Sequence, residues 1–454
     1  MTIDILPDVA LLTIFEFYVD EAPTAWRTLA HVCRNWRYIV FGSPRRLNLR
    51  IYCTASTPVK KLLGVWPLFP IVVCVDNDEM WDIWGEKNII AALKHKDRIC
   101  AVDLLFVPNS KWGKFLAAMQ QPFPELTRLQ LMFEDDRATP VIPSSFLGGS
   151  APRLQTFILH YTTFPGLPNL LLSATHLLHL DLWGIPPSGY ISPEAMVTCL
   201  SSLTNLERLI IHFQSSQSRP DRSLPPQKRI LLPVLTKFRF KGFGIYLGDL
   251  VAQIDTPLLN ELDITFSPQL VSDTPQLTDF ISRTPNVKAH DEARLVFANW
   301  HVSVTIPETF EGAVDLGITY EQSYWQLLSL AQVCGLSSLQ ALISPVERLY
   351  VLENIYLGLR WQDDTESSRW LELFRPFTNV KGLYISEQFG PHIVSALQEL
   401  VGERVTEVLP TLQTLFLEVM PQSGPVHEAI GQFVSARQLS GHPIVVSRWE
   451  RKWD

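Results

Sequence analysis

A six-residue pattern of the form L-x-x-L-x-L recurs along this chain and constrains the fold more than any other feature. Valine, isoleucine or phenylalanine takes the place of leucine at some of its apolar positions. Ten copies are recognisable, at Ile99/Val102/Leu104, Leu126/Leu129/Leu131, Leu154/Phe157/Leu159, Leu177/Leu180/Leu182, Leu206/Leu209/Ile211, Leu235/Phe238/Phe240, Leu259/Leu262/Ile264, Val346/Leu349/Val351, Val380/Leu383/Ile385 and Leu412/Leu415/Leu417. Chance clustering of apolar residues explains one or two such copies easily, whereas ten in register are much harder to dismiss.

Each copy has the character of a short strand followed by a turn and a helix. The last two apolar positions are two residues apart, so both point to the same side of a strand. Stretches of helical character lie between the copies, at Glu86–Lys96, Trp112–Gln121, Pro193–Ser202, Gln276–Arg283, Tyr324–Cys334, Ser368–Phe374, His392–Val401 and Val426–Leu439. One such unit cannot bury its apolar face alone, whereas stacked neighbours can.

The pattern resembles that of leucine-rich repeats, whose period is roughly 20–29 residues. The resemblance implies an α/β repeat fold over residues 51–454: an irregular solenoid with parallel strands on the concave face and helices outside. We expect irregularity because the asparagine of a regular repeat is missing after most copies. The pattern also fades over 286–345, where Leu295–Phe297 and Val302–Ile306 look like strands and a slipped repeat is the default interpretation.

The first fifty residues are organised differently, as two helical apolar series separated by Asp20–Pro23. Leu11, Ile14, Phe15 and Tyr18 follow the spacing of one helix face. The second series contains Trp26, Leu29, Ala30, Cys33 and Trp36. Two or three short helices cannot bury this much apolar surface among themselves. The segment is therefore either a helical cap on the next domain or a docking module.

An ordered set of motifs in this module resembles the F-box, including a variant common in fungal members. It reads Leu6-Pro7-x-x-x-Leu11-x-x-Ile14-Phe15, then Val32-Cys33-Arg34-x-Trp36-Arg37, then Ser43-Pro44. Val9 differs from the glutamate frequent in the family, and Arg46-Leu47 from its Leu-Trp. The motifs cover roughly a tenth of the chain, and an F-box followed by irregular leucine-rich repeats is itself a common family arrangement. The resemblance places an F-box-like helical module at residues 1–50.

In that family the module binds a Skp-type adaptor and, through it, a cullin. The resemblance thus implies the substrate-recognition subunit of a Skp–cullin–F-box type ubiquitin ligase, with catalysis in the partner enzymes. No catalytic, cofactor-binding or metal-binding residue is then expected here. The residues expected to contact the adaptor are Leu6, Pro7, Leu11, Ile14, Phe15, Val32, Cys33 and Trp36. The alternative is a non-catalytic leucine-rich-repeat scaffold that joins no ligase.

The target protein is expected on the strand side chains that alternate with the buried pattern positions. In the third to seventh copies these outward positions include several basic residues and one tryptophan. The candidate target-binding residues are Trp183, Arg208, His212, Lys237, Arg239 and Lys241. The polar segment Gln214–Arg229 adds basic residues near the same rows. One hypothesis is a site for an acidic or phosphorylated segment, and the alternative is a solvated face of mixed charge.

Composition excludes other classes of protein. Apolar residues make up 46% of the chain and charged residues 19%, which excludes wholesale disorder. The net charge is −8, so no global basic field favours a nucleic-acid partner. No P-loop, GxSxG or HExxH motif occurs, although an enzyme with an unrecognised site stays open.

Cysteine usage and hydropathy bear on the compartment. None of the six cysteines forms a CxxC pair, and buried free thiols of a reducing compartment are the better interpretation. The longest uncharged apolar run, Leu62–Val75, is too short to cross a bilayer and contains two prolines. We therefore expect a protein of the cytoplasm, the nucleus or both, with no membrane partner.

Overall fold

The computed structural model describes residues 6–75, 83–105, 107–133, 140–214, 229–266, 275–287, 290–297, 301–307, 313–319, 330–331, 333–353 and 367–451. The chain folds into two compact units, Met1–Tyr190 and Ile191–Asp454. Each unit combines parallel strands with helices that connect them. The predicted α/β repeat fold is thereby confirmed.

The first unit opens with three helices and continues as an alternation of strands and helices. The opening helices are α1 (Asp8–Glu21), α2 (Trp26–Val32) and α3 (Arg34–Gly42). The strands are β1 (Ile51–Cys53), β2 (Ile71–Val75), β3 (Ile99–Leu104), β4 (Arg128–Met132), β5 (Thr156–His160) and β6 (His179–Ile185). The helices among them are α4 (Val59–Val65), α5 (Ile83–Leu93), α6 (Asn109–Ala118) and α7 (Leu167–Ser173). These six strands pair in chain order, and every pair is parallel.

The second unit repeats this alternation over a longer stretch. Its strands are β7 (Arg208–Phe213), β8 (Ile230–Leu231), β9 (Lys237–Gly242), β10 (Ile254–Asp255), β11 (Glu261–Phe266), β12 (Glu292–Phe297), β13 (His301–Pro307), β14 (Ala313–Thr319), β15 (Arg348–Glu353), β16 (Gly382–Ile385), β17 (Thr414–Leu417) and β18 (Val445–Arg448). Its helices are α8 (Pro193–Leu200), α9 (Gly244–Val251), α10 (Pro275–Arg283), α11 (Gln340–Ile343), α12 (Ser367–Phe374), α13 (Gly390–Gln398) and α14 (Pro425–Leu439). The short strands β8 and β10 pair with each other.

The recurring apolar pattern forms the core of both units. All thirty of its positions are at most 5% exposed. Parallel pairing places equivalent positions side by side, as in the row Val102, Leu129, Phe157 and Leu180. Each repeat therefore covers the apolar face of its neighbour, which is the packing that the ten copies predict.

Local signals explain where α8 begins. Ser192 caps α8, because its side-chain oxygen accepts a hydrogen bond from the Ala195 backbone N–H at 3.2 Å, and Pro193 occupies the first turn. Most of the predicted helical stretches coincide with helices, whereas most of the stretch predicted at 324–334 lies outside the described residues. The sequence did not indicate α9, whose nearly all-round burial hides helical periodicity.

The region 286–345 contains an antiparallel insertion. Strand β12 pairs antiparallel with β13, and β13 pairs antiparallel with β14. The outer two strands then join the parallel sheet, β14 beside β11 and β12 beside β15. The default of a slipped repeat is therefore wrong, although both predicted strands exist. Connections of three and five residues are too short for the crossover that parallel pairing requires.

The helical module packs directly on the first repeat, which comprises β1, α4 and the segment that leads to β2. The Trp26 ring is buried, 4.9 Å from the Trp66 ring and 5.6 Å from the Phe69 ring between centroids. Its indole N–H donates to the Arg50 carbonyl oxygen at 3.1 Å. These contacts join residues before and after residue 50. The domain boundary at residue 50 therefore stays a prediction.

All six cysteines are free thiols, as the sequence predicts, but only half of them are buried as expected. Three of them, Cys53, Cys199 and Cys334, are buried, and burial raises the pKa of the Cys53 and Cys199 thiols to about 11. Buried thiols with raised pKa values are poor nucleophiles. In the part of the chain that the structure describes, no helix has the length and apolar character needed to cross a membrane.

Candidate functional site

Helix α1 leaves part of its apolar surface uncovered. Ile14, Phe17 and Tyr18 have the i, i+3, i+4 spacing that places residues on one side of a helix, and all three are exposed. Phe17 is 71% exposed. Uncovered aromatic and branched side chains at this spacing form a continuous apolar stripe, which is a frequent mark of a protein-binding surface.

A groove of about 650 Å³ lies between α1 and α3. Val9 and Tyr38 line it and are 70% and 76% exposed, and Asp8, Arg34 and Arg37 also line it. An exposed groove with apolar lining suits the apolar side of an amphipathic partner segment.

The residues predicted to contact the adaptor divide into two groups. Leu6, Pro7, Ile14 and Val32 are exposed, and Cys33 and Trp36 are half-buried. Leu11 and Phe15, in contrast, are 1% and 0% exposed. Their prediction as contact residues is corrected, because they and Val19 form the inward stripe of α1 at a spacing of four residues.

Several module residues were missed from the sequence. Val9, Phe17, Tyr18 and Tyr38 are exposed in the structure but were not assigned to the contact surface. The helical spacing in the sequence groups Tyr18 with Leu11 and Phe15, whereas in the structure Tyr18 is exposed and the other two are buried. The useful signal was the surplus of apolar residues in the first forty, which exceeds what the buried stripe needs.

Arg46 links the end of the module back to α1. Its guanidinium group forms a two-point ion pair with Glu16, at 2.8 Å and 2.6 Å. The hydrogen bond from Arg46 holds the pKa of the Glu16 carboxyl below its usual range. Arg46 therefore joins the segment after α3 to α1 through a partly exposed ion pair.

The strand side chains that point away from the core form the open face of each unit. In the second unit, one row of the open face follows the strand register from β7 to β18. It consists of Ile210, Arg239, Asp263, Asp315, Thr305, Arg294, Tyr350, Tyr384, Phe416 and Ser447. One part of this row is charged and the other is aromatic.

The predicted basic stripe is neutralised by the strand beside it. Lys237 forms an ion pair with Glu261, and Arg239 Nε lies 2.5 Å from Asp263 Oδ2. Both pairs join residues directly opposite each other on β9 and β11. Opposite charges at such positions stabilise the sheet. Lys237 and Arg239 are therefore already paired within the fold and are not free cations for a partner.

The other predicted target-binding residues of this unit differ in exposure. Arg208 is exposed, whereas His212 is buried and is therefore corrected as a surface residue. Burial lowers the pKa of Lys241, and among the described residues no carboxylate pairs with its ammonium group. The segment Gln214–Arg229 lies mostly outside the described residues.

Trp183, the sixth predicted target-binding residue, lies in the first unit. It is half-buried on β6, and its indole N–H donates to the Tyr161 hydroxyl at 3.3 Å. The Tyr161 ring occupies the space where a Cβ at Gly184 would lie, at 2.3 Å. Gly184 has a φ of +67°, so glycine meets both the backbone and the steric requirement here.

The charged part of the row contains two neighbouring carboxylates. Asp263 and Asp315 are directly opposite each other on β11 and β14, and Thr305 Oγ1 donates to Asp315 Oδ1 at 3.4 Å. Burial, together with the charge of Asp263, raises the pKa of Asp315 to about 6. Burial also raises the pKa of Asp263.

The raised pKa of Asp315 predicts that the free energy of unfolding falls as the pH rises from about 4 to about 6. Because its pKa is higher in the folded than in the unfolded chain, its favourable contribution is complete below about pH 4. It is lost as the pH rises towards about 6, on the order of 2–3 kcal/mol in the free energy of unfolding. Asp315→Asn should remove this part of the slope in urea titrations between pH 4 and pH 7.

The matched control for this experiment is Asp279→Asn, at an exposed position on α10. It should leave the pH profile of the wild type unchanged. An Asp315→Asn profile that keeps the wild-type slope would contradict the assignment.

The aromatic part of the row is a stack of parallel rings. Tyr350 and Tyr384 lie 4.2 Å apart between ring centroids, and Tyr384 and Phe416 also lie 4.2 Å apart. All three side chains are half-buried, and burial raises the pKa of Tyr350 to about 12. Sequence reasoning missed this stack, which we call the aromatic row (Tyr350, Tyr384 and Phe416).

The described residues show no constellation of metal ligands. Within them, no group of three or more His, Cys, Asp or Glu side chains is placed to hold a metal ion. The chemistry that the two open faces and the module offer is apolar contact, ion pairing and hydrogen bonding.

Comparison with solved structures gives matches that include two leucine-rich-repeat proteins. No family model and no curated protein matches this chain. The leucine-rich repeat-containing protein LegL7 from Legionella pneumophila is 11% identical with a TM-score of 0.28, covering 85% of this chain and 97% of that one. The leucine-rich-repeat ectodomain of the receptor kinase GASSHO1/SCHENGEN3 from Arabidopsis thaliana is 11% identical with a TM-score of 0.26, covering 84% of this chain and 41% of that one. At these scores the fold assignment rests on the strand register and the buried pattern.

Proposed function

We propose that this chain is the substrate-recognition subunit of a Skp–cullin–F-box type ubiquitin ligase. Its N-terminal module would bind a Skp-type adaptor and, through it, a cullin, while the repeats would bind a target protein. Ubiquitin transfer would belong to the partner enzymes, in the cytoplasm or the nucleus.

The observation that carries the proposal is the concentration of uncovered apolar side chains in the module. Among the described residues, eighteen large apolar side chains are exposed, and seven of these lie between Leu6 and Tyr38. That segment is less than a tenth of the chain. An apolar surface of this density is costly in water unless a partner covers it, and it coincides with the segment whose motifs resemble the F-box.

The test is co-purification of the adaptor and a cullin with the tagged full-length chain. The double variant Ile14→Glu with Phe17→Glu should reduce adaptor capture at least tenfold, because a partner surface would have to bury two unpaired carboxylates. Both side chains are exposed, so the fold should tolerate the change.

The matched control is Leu172→Glu, a similarly exposed leucine on α7 of the repeats. It should leave adaptor capture at the wild-type level. Wild-type capture by the double variant would contradict the proposed surface. A wild-type chain that captures neither adaptor nor cullin would favour the binding scaffold that joins no ligase.

A further inference from the structure

The aromatic row is partly covered by the segment that follows β18. The indole ring of Trp449 meets the Tyr350 and Tyr384 rings edge-on, at centroid distances of 5.9 Å and 5.8 Å. Its N–H donates to the Ile385 carbonyl oxygen at 3.1 Å, and its backbone N–H donates to the Leu417 carbonyl oxygen at 3.2 Å. The tryptophan therefore lies across three neighbouring strands.

Two residues later the same segment reaches β15. Arg451 Nη1 lies 2.8 Å from Glu353 Oε1, and Nη2 donates to the Glu353 carbonyl oxygen at 2.9 Å. The two side chains are only 15% and 19% exposed, which protects the ion pair from solvent. Residues 449–451 thus run from β18 back over β17 and β16 to β15.

These contacts have the geometry of a bound peptide. The buried pattern positions Leu383, Ile385 and Leu415 alternate with Tyr384 and Phe416 along their strands, so they point to the core side, away from the segment. It uses one aromatic side chain, one arginine and hydrogen bonds to main-chain carbonyl oxygens. A short segment recognised in this way resembles a peptide docked on a strand surface.

The glycine at position 382 keeps the site accessible. A Cβ at this position would lie 3.2 Å from the Tyr384 ring and 3.5 Å from the Phe416 ring. Any larger side chain here would therefore displace the stacked rings or cover them. Gly382 pairs with Thr414 on β17. Because glycine has no side chain, the edges of the Tyr384 and Phe416 rings are not covered at this position.

Charge and unused hydrogen-bonding capacity indicate what the site accepts. Glu353, Glu387 and Glu418 all lie at the carboxyl edge of β15, β16 and β17. The second carboxylate oxygen of Glu353 is buried and, among the described residues, accepts no hydrogen bond. An acidic edge with a spare buried acceptor suits a basic segment.

We propose that the aromatic row is a peptide-binding site and that residues 449–451 occupy it as an internal ligand. The external partner it fits is a protein segment with an aromatic residue followed two positions later by arginine or lysine. Such a segment would displace Trp449 and Arg451 and take over their contacts. The proposal is independent of adaptor binding and adds an autoinhibited surface to the chain.

The test uses a fluorescent peptide with the sequence of residues 445–451, V-V-S-R-W-E-R. Fluorescence anisotropy compares its binding to the full-length wild type and to full-length Trp449→Ala with Arg451→Ala. The variant should bind the peptide at least tenfold more tightly, because the internal copy no longer competes at its high effective concentration. A control peptide with alanine at the tryptophan and final arginine positions should bind neither protein.

Charge-changing variants test the proposal separately, in case Trp449→Ala with Arg451→Ala impairs folding. Arg451→Glu alone retains the Trp449 side chain but sets two carboxylates against each other, which weakens the hold of the internal segment, so this variant should also gain peptide binding. In the background of Trp449→Ala with Arg451→Ala, adding Glu353→Arg should abolish binding of the original peptide and create binding of a peptide that ends in glutamate. A peptide that binds no variant, or binds wild type and variants equally, would overturn the proposal. Residues 449–451 would then only stabilise the fold.

Discussion

Replacing Trp26 with alanine should lower the free energy of unfolding by about 3–5 kcal/mol. The ring is completely buried between the helical module and the first repeat, where it meets Trp66, Phe69 and Phe41. The substitution opens a large cavity and leaves the Arg50 carbonyl oxygen without its indole donor. Urea denaturation followed by circular dichroism measures the change.

Tyr38→Ala is the control for this substitution, because Tyr38 is an exposed aromatic residue of the same module. Its effect should stay within about 0.5 kcal/mol. A loss of less than about 1 kcal/mol for Trp26→Ala would show that the module is not anchored on the repeats through this ring.

Replacing Arg437 with methionine should lower the free energy of unfolding by about 3 kcal/mol or more. This arginine of α14 is fully buried, and its guanidinium group donates to the carbonyl oxygens of Leu412 at 2.9 Å and Val405 at 3.1 Å. Methionine keeps most of the volume but leaves both acceptors unsatisfied in the core. Thermal and urea unfolding should both report the loss.

Two comparisons separate the hydrogen bonds from charge and packing. Arg437→Lys should recover only part of the stability, because an ammonium group lacks the planar fork that reaches both oxygens. Arg404→Met removes an exposed arginine paired with Glu407 and should cost at most about 1 kcal/mol. Equal losses for Arg404→Met and Arg437→Met would contradict this account of Arg437.

The alternation of side chains along the strands predicted which residues are buried in the core and which lie on the open face. It told which residues point into the core, and all thirty pattern positions are buried. It did not predict how charges balance between strands. The cations Lys237 and Arg239 suggested a basic stripe, yet the register places Glu261 and Asp263 directly beside them.

Contacts between distant parts of the chain were beyond the sequence. Trp449 and Tyr350 are about a hundred residues apart, and no local pattern links them. The antiparallel insertion differs from the predicted slipped repeat for a local reason, since the connections between its strands are too short for the crossover that a repeat requires. In the helical module, the apolar series revealed surplus surface without separating the inward residues Leu11 and Phe15 from the outward Ile14.

The central claim is that the exposed apolar surface of the module is the contact for a Skp-type adaptor. Isothermal titration calorimetry of the purified full-length chain with purified adaptor, at several temperatures, tests it most directly. The account predicts binding with a negative heat-capacity change, because apolar surface leaves water, and at least tenfold weaker binding by the Ile14→Glu, Phe17→Glu variant. Binding of the adaptor that is equally tight for wild type and variant, or no binding by the wild type, would contradict it.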